Sequence, residues 1–416
     1  MAMGGDDLKV VILNDSSVAK GGATGLALLS ARLLRERNIP TTYIAGDAGD
    51  DGALATIGAT LVPMGDELLL DAGALKAMKR GLYNTAIRDK IADYIAENDT
   101  ANTVYHLHGW SRILSPAVFD ALRPVAHRTY VHAHDFFLAC PNGAYFDFRQ
   151  ETVCTRKPLS LGCLKTACDR RAFHHKVWRS ARSGMVKRAF DQSAPWAKIL
   201  TLHPAMNLML AKADLPLNRI ATVRNPAQAL TPSRVKAEAN EAFCFIGRVE
   251  AGKGIRMLCE AAKIAKVPLK VIGDGAELTS LKEAFPDVNF LGWVDQSDIG
   301  QHLADIRALV MPSRTPEPFG LVAAEASLSG LPVILSEQSL LSEDFQKHAL
   351  GFPCNTASPE ALAKTLSKVA ALPASDVKAL SEKAYAGSAQ IALSHEPWIT
   401  ALIDNYREVC AQDAAA

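Results

Sequence analysis

The fold of this 416-residue chain is decided by one stretch, residues 316–326, with the sequence Pro-Glu-Pro-Phe-Gly-Leu-Val-Ala-Ala-Glu-Ala. It follows an apolar run at 308–311 and passes into a segment with helical character. Glu317 stands between two prolines, which restrict the backbone to an extended form and hold the carboxylate in place. Gly320 lets a ligand approach the backbone closely, and Glu325 lies more than one turn further on. The stretch therefore predicts a strand–loop–helix unit that offers two carboxylates and the free N–H groups of a helix end.

The same alternation of short apolar runs and longer helical segments extends along the whole chain in two series. A polar, proline-containing segment at 226–240 separates them. Strands separated by helices indicate parallel pairing with right-handed crossovers. The sequence therefore predicts an α/β protein of two doubly wound Rossmann-like domains, 1–224 and 225–396, facing across a cleft that holds the active site. The predicted strands are Lys9–Leu13, Thr41–Ala45, Thr60–Val62, Thr103–Leu107, Arg128–His132, Ala197–Leu202, Arg219–Val223, Ala242–Ile246, Leu269–Ile272, Val288–Leu291, Ala308–Met311 and Pro332–Leu335.

Composition and charge exclude several classes of protein. The chain has 49% hydrophobic and 21% charged residues, as globular proteins do and disordered or fibrous ones do not. A net charge of +1 excludes a whole-chain polycation built for nucleic acid. The eight cysteines are too sparse for a disulfide scaffold. We find no signal-peptide pattern and no run of the roughly 20 apolar residues of a membrane span, so we expect a cytoplasmic protein with reduced cysteines.

A second motif lies at 247–254, where a predicted strand turns into a helix through Gly-Arg-Val-Glu-Ala-Gly-Lys-Gly. Its spacing resembles a phosphate-binding P-loop, but Gly254 stands where Ser or Thr would hold magnesium, which disfavours a nucleoside triphosphatase. Arg248 and Lys253 beside a helix N-terminus favour an anion. The alternative is a glycine turn with two solvated basic side chains.

The order of these motifs resembles that of family 4 glycosyltransferases, which are retaining nucleotide-sugar enzymes of the GT-B fold. The motifs are Gly-Arg-x4-Lys-Gly from Gly247, Gly-Asp-Gly from Gly273, Leu-Gly-Trp-Val ending at Val294, and Glu-Pro-Phe-Gly-x4-Glu-Ala from Glu317. The resemblance covers nearly the whole chain and is most specific from 243 to 333. It implies a nucleotide-diphosphate sugar donor, of UDP or GDP type, and a hydroxyl acceptor.

The resemblance also implies roles for single residues. Arg248 and Lys253 would bind the donor diphosphate and neutralise the leaving group. Glu317 would contact hydroxyls of the transferred sugar, and Glu325 would bind the ribose hydroxyls. The other donor-binding positions would border the base or hold diphosphate and sugar oxygens through the backbone: Gly247, Gly273, Val294, Phe319, Gly320, Leu321 and Val322.

One loop departs from the family pattern. After the predicted strand at 332–335 the family has paired glycines and then a glutamate. This chain has Ser339 and Leu340 in place of the pair and keeps the spacing to Glu343. The departure puts a side chain on each position of a loop that the resemblance places beside the donor.

Two loops of the first half also match the family. Gly21 and Gly22 follow the first strand and resemble the glycine-rich loop that faces the donor phosphate and the acceptor. His134 ends a strand and resembles the active-site histidine that contacts the transferred sugar. His106 and His108 end an earlier strand, and we interpret them as structural.

The resemblance implies retention by front-face substitution, in which the leaving diphosphate takes the acceptor proton and no catalytic metal is required. The catalytic residues would be His134, Arg248, Lys253 and Glu317. The implied acceptor is a lipid-linked or polysaccharide intermediate of cell-envelope or exopolysaccharide synthesis. An epimerase or sugar-phosphate synthase on the same fold, and a non-catalytic nucleotide-sugar-binding protein, remain open alternatives. A helix at about 397–412 would cross back to the first domain, as in the family.

An insert at 138–170 is rich in proline, glycine and polar residues and has little helical or strand period. Loops without a core of their own often surround a structural zinc ion with four cysteine ligands, and the metal then supplies folding energy. The spacing lacks two Cys-x2-Cys pairs, so reduced thiols without metal are the main alternative, and disulfides or an iron–sulfur cluster are the others. The four cysteines concerned are Cys140, Cys154, Cys163 and Cys168.

The segment at 170–190 is strongly basic. Phe173, Val177, Ala181 and Met185 recur every four residues, which predicts a basic amphipathic helix. One interpretation is that this helix packs on the sheet and leaves a solvated basic face. The functional alternative is that the basic face binds an anionic membrane surface or an acidic acceptor. We do not expect nucleic acid, because no recognised binding motif lies beside this patch.

Overall fold

The computed structural model describes residues 8–19, 21–49, 52–69, 71–191, 195–387 and 391–413. The chain divides into two compact units. The first unit comprises the described residues up to 150, those at 154–224 and those from 395 onward, and the second comprises 151–153 and 225–394. Each unit is built on one parallel sheet.

The described strands are short, and most of them are buried. In chain order they are β1 Lys9–Asn14, β2 Thr41–Ala45, β3 Thr60–Pro63, β4 Thr103–Leu107, β5 Thr129–Ala133, β6 Phe146–Asp147, β7 Thr152–Val153, β8 Lys198–Thr201, β9 Ile220–Thr222, β10 Ala242–Ile246, β11 Leu269–Ile272, β12 Asn289–Gly292, β13 Ile306–Met311, β14 Val333–Ser336 and β15 Gly351–Cys354.

Helices fill the connections between these strands. The described α-helices are α1 Gly22–Glu36, α2 Gly52–Thr56, α3 Ala74–Leu82, α4 Thr85–Asn98, α5 Ala117–Leu122, α6 Leu161–Lys165, α7 Phe173–Ala189, α8 Pro204–Ala211, α9 Ile255–Ala265, α10 Leu278–Ala284, α11 Leu321–Leu328, α12 Ser342–Lys347, α13 Pro359–Ala370, α14 Ala374–Tyr385 and α15 His395–Asp413. None of them is long and apolar enough to cross a membrane, for the residues that the structure describes.

The sheet of the first unit has the order β3-β2-β1-β4-β5-β8-β9, and its strands pair in parallel. In β1 an exposed Lys9 precedes five buried residues, a near-continuous run typical of a parallel strand covered on both faces. The order reverses between β1 and β4, so the loops after these strands leave the sheet in opposite directions. The predicted residues Gly21 and His134 follow β1 and β5.

The sheet of the second unit has the order β12-β11-β10-β13-β14-β15, again with parallel pairs. Its core contains Phe243, Phe245, Val271 and Val310, packed with apolar residues of α9 and α13. The order reverses between β10 and β13, and ligands of doubly wound sheets bind at such a switch point. The motifs at 247–254 and 316–326 follow these two strands.

The predicted fold class, two doubly wound α/β domains of the Rossmann type, is confirmed. Each predicted strand is present with its ends shifted by at most two residues. The strand β15 at the edge of the second sheet was not predicted, because Gly351 and Pro353 weaken its strand pattern.

The last helix, α15, belongs to the first unit. The Tyr406 hydroxyl lies 2.6 Å from His106 Nδ1 of β4, and Lys198 Nζ of β8 lies 2.7 Å from Glu408 Oε2. Trp398 and Tyr406 are fully buried, so the helix covers the sheet with large apolar side chains.

The interpretation that the basic helix packs on the sheet through its apolar stripe is wrong. In α7, which spans 173–189 rather than 170–190, Phe173, Val177 and Met185 are 47%, 53% and 38% exposed, and Ala181 is also exposed. The buried side of α7 instead contains six residues of mostly polar type: Lys176, Ser180, Arg182, Ser183, Val186 and Ala189. The apolar stripe therefore faces outward.

Polar side chains can occupy this buried face because they find partners there. The Arg182 guanidinium donates to Ser111 O at 2.7 Å and stacks over the Trp110 ring at 5.0 Å. Lys176 Nζ donates to Cys163 Sγ at 3.2 Å, in the cysteine insert. The tertiary contacts of single basic residues thus outweigh the apolar periodicity of the helix.

Candidate active site

Lys253 and Glu317, both predicted to be catalytic, meet at the switch point of the second sheet. Lys253 Nζ lies 2.5 Å from Glu317 Oε2, and Ser313 Oγ donates to the same oxygen at 3.3 Å. The two side chains retain 23% and 19% of their exposure, so solvent reaches both. An ammonium group and a carboxylate at this position can bind a ligand that combines an anion with hydroxyl groups.

Glycines bring the loops of this sheet into backbone contact. Gly254 has a φ of 73°, and a Cβ there would lie 2.2 Å from Pro312 O. A Cβ on Gly273 would lie 1.9 Å from Gly247 O. The glycine that replaces the P-loop Ser or Thr is therefore required by packing, and the loops after β10, β11 and β13 form one closely packed layer.

The loop after β13 ends at Gly320, whose φ of 75° and position near Met311 also require a glycine. It is followed directly by α11, and among the described residues no side chain caps this helix. The backbone N–H groups of Leu321 and Val322 in its first turn are therefore available to an anion. Phe319 is 2% exposed and anchors the loop in the core.

Glu325 lies on α11 and, like Glu317, is half-buried. Burial raises the pKa of its carboxyl group to about 7. The hydrogen bond that Gln296 Nε2 donates to Oε1 at 3.3 Å acts in the opposite direction and lowers the pKa. The group is therefore partly protonated at neutral pH. Hydroxyl groups of a ligand that donate to this carboxylate would favour its ionised form.

Two other donor-side predictions, Arg248 and Val294, follow different strands of this sheet. Arg248 follows β10, is 59% exposed and bonds to Glu250 Oε1 at 3.0 Å rather than to Glu317. Val294 follows β12 and is half-buried beside Trp293, whose side chain is exposed.

The loop that departs from the family pattern supports Glu317 directly. Leu340 N donates to Glu317 O at 3.1 Å, and Ser339 pairs with Glu317 in an isolated parallel bridge. Ser339 is buried. The two residues that replace the glycine pair thus help to position the Glu317 backbone.

In the first unit, Gly21 and Gly22 begin α1. Both are exposed, and a Cβ added to Gly21 would have none of the described atoms within 4 Å. Packing within the unit therefore does not require a glycine at position 21, in contrast to Gly254 and Gly273.

His134 follows β5 and is partly buried. Its Nε2 lies 3.0 Å from His108 Nδ1, and burial lowers its pKa to about 3, so the imidazole is neutral. The neighbouring Asp135 accepts a hydrogen bond from Phe137 N at 2.8 Å and therefore caps the loop. Burial raises the pKa of this carboxyl group to about 6.

The four insert cysteines line one small cavity, together with Tyr145, Arg156 and Lys176. None of them forms a disulfide in the described structure, so the disulfide alternative is wrong. Arg156 Nη1 lies 3.8 Å from Cys154 Sγ, so two basic side chains contact the sulfur atoms. Three of the cysteines are buried and Cys154 is half-buried.

Sequence reasoning missed several polar residues that the fold brings to these sites. Ser313 and Gln296 carry no motif of their own and are placed only by the loops. A pattern was present for the histidines, since His-x-His occurs at the end of β4 and again at the end of β5. Alternate residues of a strand face the same side, so this repeat predicts a cluster.

Comparison with known proteins matches residues 228–387 to the family model described as "Glycosyl transferases group 1". An uncharacterized 41.2 kDa protein in the cps region of Klebsiella pneumoniae is 37% identical over 102 residues, 24% of this chain and 28% of that protein. A glycogen synthase of Mycobacterium tuberculosis is 26% identical over 263 residues, 58% of this chain and 59% of that enzyme. The alignments thus span less than two thirds of either relative.

The crystal structure of Anabaena Alr3699/HepE in complex with UDP has the same fold, with a TM-score of 0.68 at 16% identity. The match covers 96% of this chain and 100% of that one. The match therefore extends over both units of this chain.

Proposed function

We propose that this chain, whose residues 228–387 match the family model of the group 1 glycosyl transferases, moves a sugar with retention of configuration from a nucleotide-diphosphate donor to a hydroxyl acceptor. One observation carries the proposal: Lys253 and Glu317 form an accessible ion pair at the switch point of the second sheet, beside the uncapped start of α11. An anion-binding helix end next to a carboxylate suits a diphosphate joined to a sugar.

The proposed mechanism needs no covalent intermediate. Lys253, with Arg248, stabilises the negative charge that develops on the leaving diphosphate, and the first N–H groups of α11 add to this stabilisation. Glu317 accepts hydrogen bonds from sugar hydroxyls and so orients the anomeric carbon. Glu325 holds the ribose. The acceptor hydroxyl loses its proton to the leaving phosphate oxygen, and His134 contacts the transferred sugar.

The experiment is a screen of the purified chain against UDP- and GDP-sugars, first by thermal shift and then by release of nucleotide. A donor that binds only the folded state raises the melting temperature. We expect one donor class to do so and to release nucleotide slowly into water. Tight binding without release from any donor would support the non-catalytic alternative, and a changed free sugar nucleotide would support an epimerase.

For the acceptor, we propose a lipid-linked intermediate at an anionic membrane surface, reached through α7. The outward stripe of Phe173, Val177 and Met185 supports this, because exposed apolar residues between basic ones suit an interfacial helix. Arg171 and Arg188 near the helix ends are also exposed. The apolar stripe, rather than the basic face alone, supplies the contact with the acyl region.

Flotation with vesicles tests this attachment. We expect binding to vesicles rich in phosphatidylglycerol, weak binding to phosphatidylcholine vesicles, and loss of binding in the double variant Phe173→Asp/Val177→Asp. Leu208→Asp, at a 70% exposed leucine on α8, is the matched control. Unchanged binding of the double variant would contradict membrane attachment through α7. It would not bear on the proposed glycosyl transfer, which is tested by the release of nucleotide.

For the cysteine insert, we propose a structural zinc ion, whose binding would draw the sulfur atoms together, since no three of them lie within 4.8 Å of one another among the described residues. Lys176 is buried and contacts the Cys163 sulfur, and a buried ammonium group requires an anion nearby. Neutral thiols are weak acceptors, whereas thiolates held by a metal supply the charge. Metal analysis should find zinc in the purified chain and less of it in Cys163→Ser. Equal zinc content in the natural chain and in Cys163→Ser would indicate that the cysteines are reduced thiols without bound metal.

A further inference from the structure

Four histidines lie on adjacent strands at the carboxyl edge of the first sheet. His106 and His108 come from the end of β4, and His132 and His134 from the end of β5, each pair two residues apart. β4 and β5 pair in parallel. The rings of His106 and His132 stack with centroids 5.2 Å apart, and those of His108 and His132 lie 5.1 Å apart.

His106, His108 and His132 are buried, with 0%, 3% and 2% exposure. Two of their six ring nitrogens have a partner: His106 Nδ1 bonds to the Tyr406 hydroxyl at 2.6 Å, and His108 Nδ1 to His134 Nε2 at 3.0 Å. The other four, namely Nε2 of His106, Nε2 of His108 and both nitrogens of His132, have no hydrogen-bond partner among the described residues. Buried polar atoms without partners are rare and destabilising.

Protonation of the three histidines does not account for their unpartnered ring nitrogens. Burial, together with the neighbouring imidazoles, lowers the pKa of all three histidines well below the usual value. Each ring is therefore neutral and keeps one lone pair. Neutral imidazole is the commonest nitrogen ligand of transition metals in proteins.

We propose that His106, His108 and His132 form a binding site for one divalent transition metal ion, with Zn²⁺ as the reference ion. One ligand nitrogen from each lies within 4.8 Å of the others, and among the described residues this is the one such group of His, Cys, Asp or Glu. Small side-chain rotations would bring the three nitrogens to the Zn–N distance of about 2.0–2.1 Å. Three histidines leave the fourth position of a tetrahedral ion to water or another ligand.

The surrounding hydrogen bonds agree with this assignment. Metal-binding histidines donate their second ring N–H to a neighbouring oxygen or nitrogen, which fixes the ring. His106 Nδ1 has the Tyr406 oxygen and His108 Nδ1 has His134 Nε2 for this purpose. Both histidines then present Nε2 to the ion.

The ion would also set the state of His134. A His108 ring bound through Nε2 carries its proton on Nδ1 and donates it to His134 Nε2. His134 then holds its own proton on Nδ1. The site would thus act as a positioning element for the histidine that the sequence predicts to be catalytic, although its existence does not depend on the proposed glycosyl transfer.

The test compares two full-length proteins, Cys163→Ser and Cys163→Ser/His132→Leu, so that the cysteine site is impaired in both. After treatment with a chelator, each is titrated with Zn²⁺ and, separately, with Co²⁺. We expect Cys163→Ser to bind one equivalent, to gain melting temperature, and to give a Co²⁺ spectrum without thiolate charge-transfer bands. The His132→Leu protein should lose this equivalent and its thermal shift. His174→Leu, at an exposed histidine on α7, replaces His132→Leu in a matched control and should keep both.

Equal metal content and equal thermal shifts with and without His132 would overturn the proposal. The cluster would then be stabilised by packing or by an internal water molecule, and His132→Leu, which removes two unpartnered nitrogens, would be as stable as its parent or more so. If either cysteine variant fails to fold, X-ray absorption of the zinc-loaded natural chain decides. Nitrogen and sulfur ligands together support two sites, whereas sulfur ligands alone exclude the histidine site.

Discussion

The glycine motifs in the switch-point loops of the second sheet and the apolar period of helix α7 in the first unit differ in how well they predict the structure. In the loops, a Cβ would collide with backbone at three motif glycines, Gly254, Gly273 and Gly275, although not at Gly292. In α7, the apolar residues singled out by their period are exposed, and Lys176 and Arg182 are buried. A motif constrains the backbone at one position, whereas a period predicts only that some face of a helix is covered.

The difference has a physical origin. Backbone collision is local and steep, so a glycine requirement is visible in the sequence wherever two loops cross. Burial of a helix face depends on what the rest of the chain places opposite it. The segments opposite α7 offer a cysteine sulfur, a backbone carbonyl and a tryptophan ring, which suit cations better than alkyl groups.

The largest expected effect is on activity at the ion pair. Lys253→Ala or Glu317→Ala should lower sugar transfer by about 10²–10³-fold or more, because charge stabilisation and sugar orientation are lost together. Turnover with a donor found in the screen measures the effect. Lys263→Ala, at an exposed lysine on α9, is the matched control. Full activity of both site variants, with their melting temperatures unchanged, would contradict the mechanism.

The free energy of unfolding should be most sensitive to substitution at Gly254 and Gly273, the glycines where two loops cross. Gly254→Ala and Gly273→Ala should each lower the free energy of unfolding by about 3 kcal/mol or more, since the new Cβ meets Pro312 O or Gly247 O at 2.2 and 1.9 Å. Gly292→Ala shares a positive φ, of 79°, but among the described residues its Cβ meets no atom within 4 Å. It should cost only about 1 kcal/mol in the same denaturant titrations. Equal losses at all three positions would show that φ alone matters.

The inverted packing of α7 leads to a smaller contrast between neighbouring residues. Lys176→Ala should cost about 2–3 kcal/mol, because it leaves buried sulfur atoms without their cation. Val177→Ala, at a 53% exposed position, should stay within about 0.5 kcal/mol. Chemical denaturation of the two variants measures both. A larger loss of stability for Val177→Ala than for Lys176→Ala would contradict the observed packing and support the packing inferred from the apolar stripe.

The smallest effect concerns Glu325, whose pKa is raised by burial to about 7. Between the ordinary value of 4.5 and about 7 the folded chain binds more protons than the unfolded chain, so stability falls as pH rises through this window. Glu325→Gln should match the natural chain at pH 4 and exceed its stability by roughly 1–2 kcal/mol at pH 8. Denaturant titrations at the two pH values measure the difference. A constant difference at both would show that Glu325 ionises normally.

Much of the fold followed from local signals. The strand at 308–311, the loop at 316–320 and the helix after it were predicted in their order along the chain, since extended prolines, a positive-φ glycine and a helical run all act within a few residues. The edge strand Gly351–Cys354 was missed because its pairing with β14, not its composition, makes it a strand. The contact between Lys253 and Glu317 could be expected only through the resemblance, because 64 residues separate them.

By itself, the sequence determined the two doubly wound sheets and the glycine positions of the donor-side loops, because periodicity and steric exclusion act over short stretches of chain. Only the tertiary structure decided which side of α7 is buried, and that four thiols share one cavity with Lys176. It also placed three neutral histidines in the interior, where four of their ring nitrogens have no hydrogen-bond partner among the described residues. These features arise between segments far apart in the chain, where the free energy of burying a polar side chain depends on partners that no local pattern specifies.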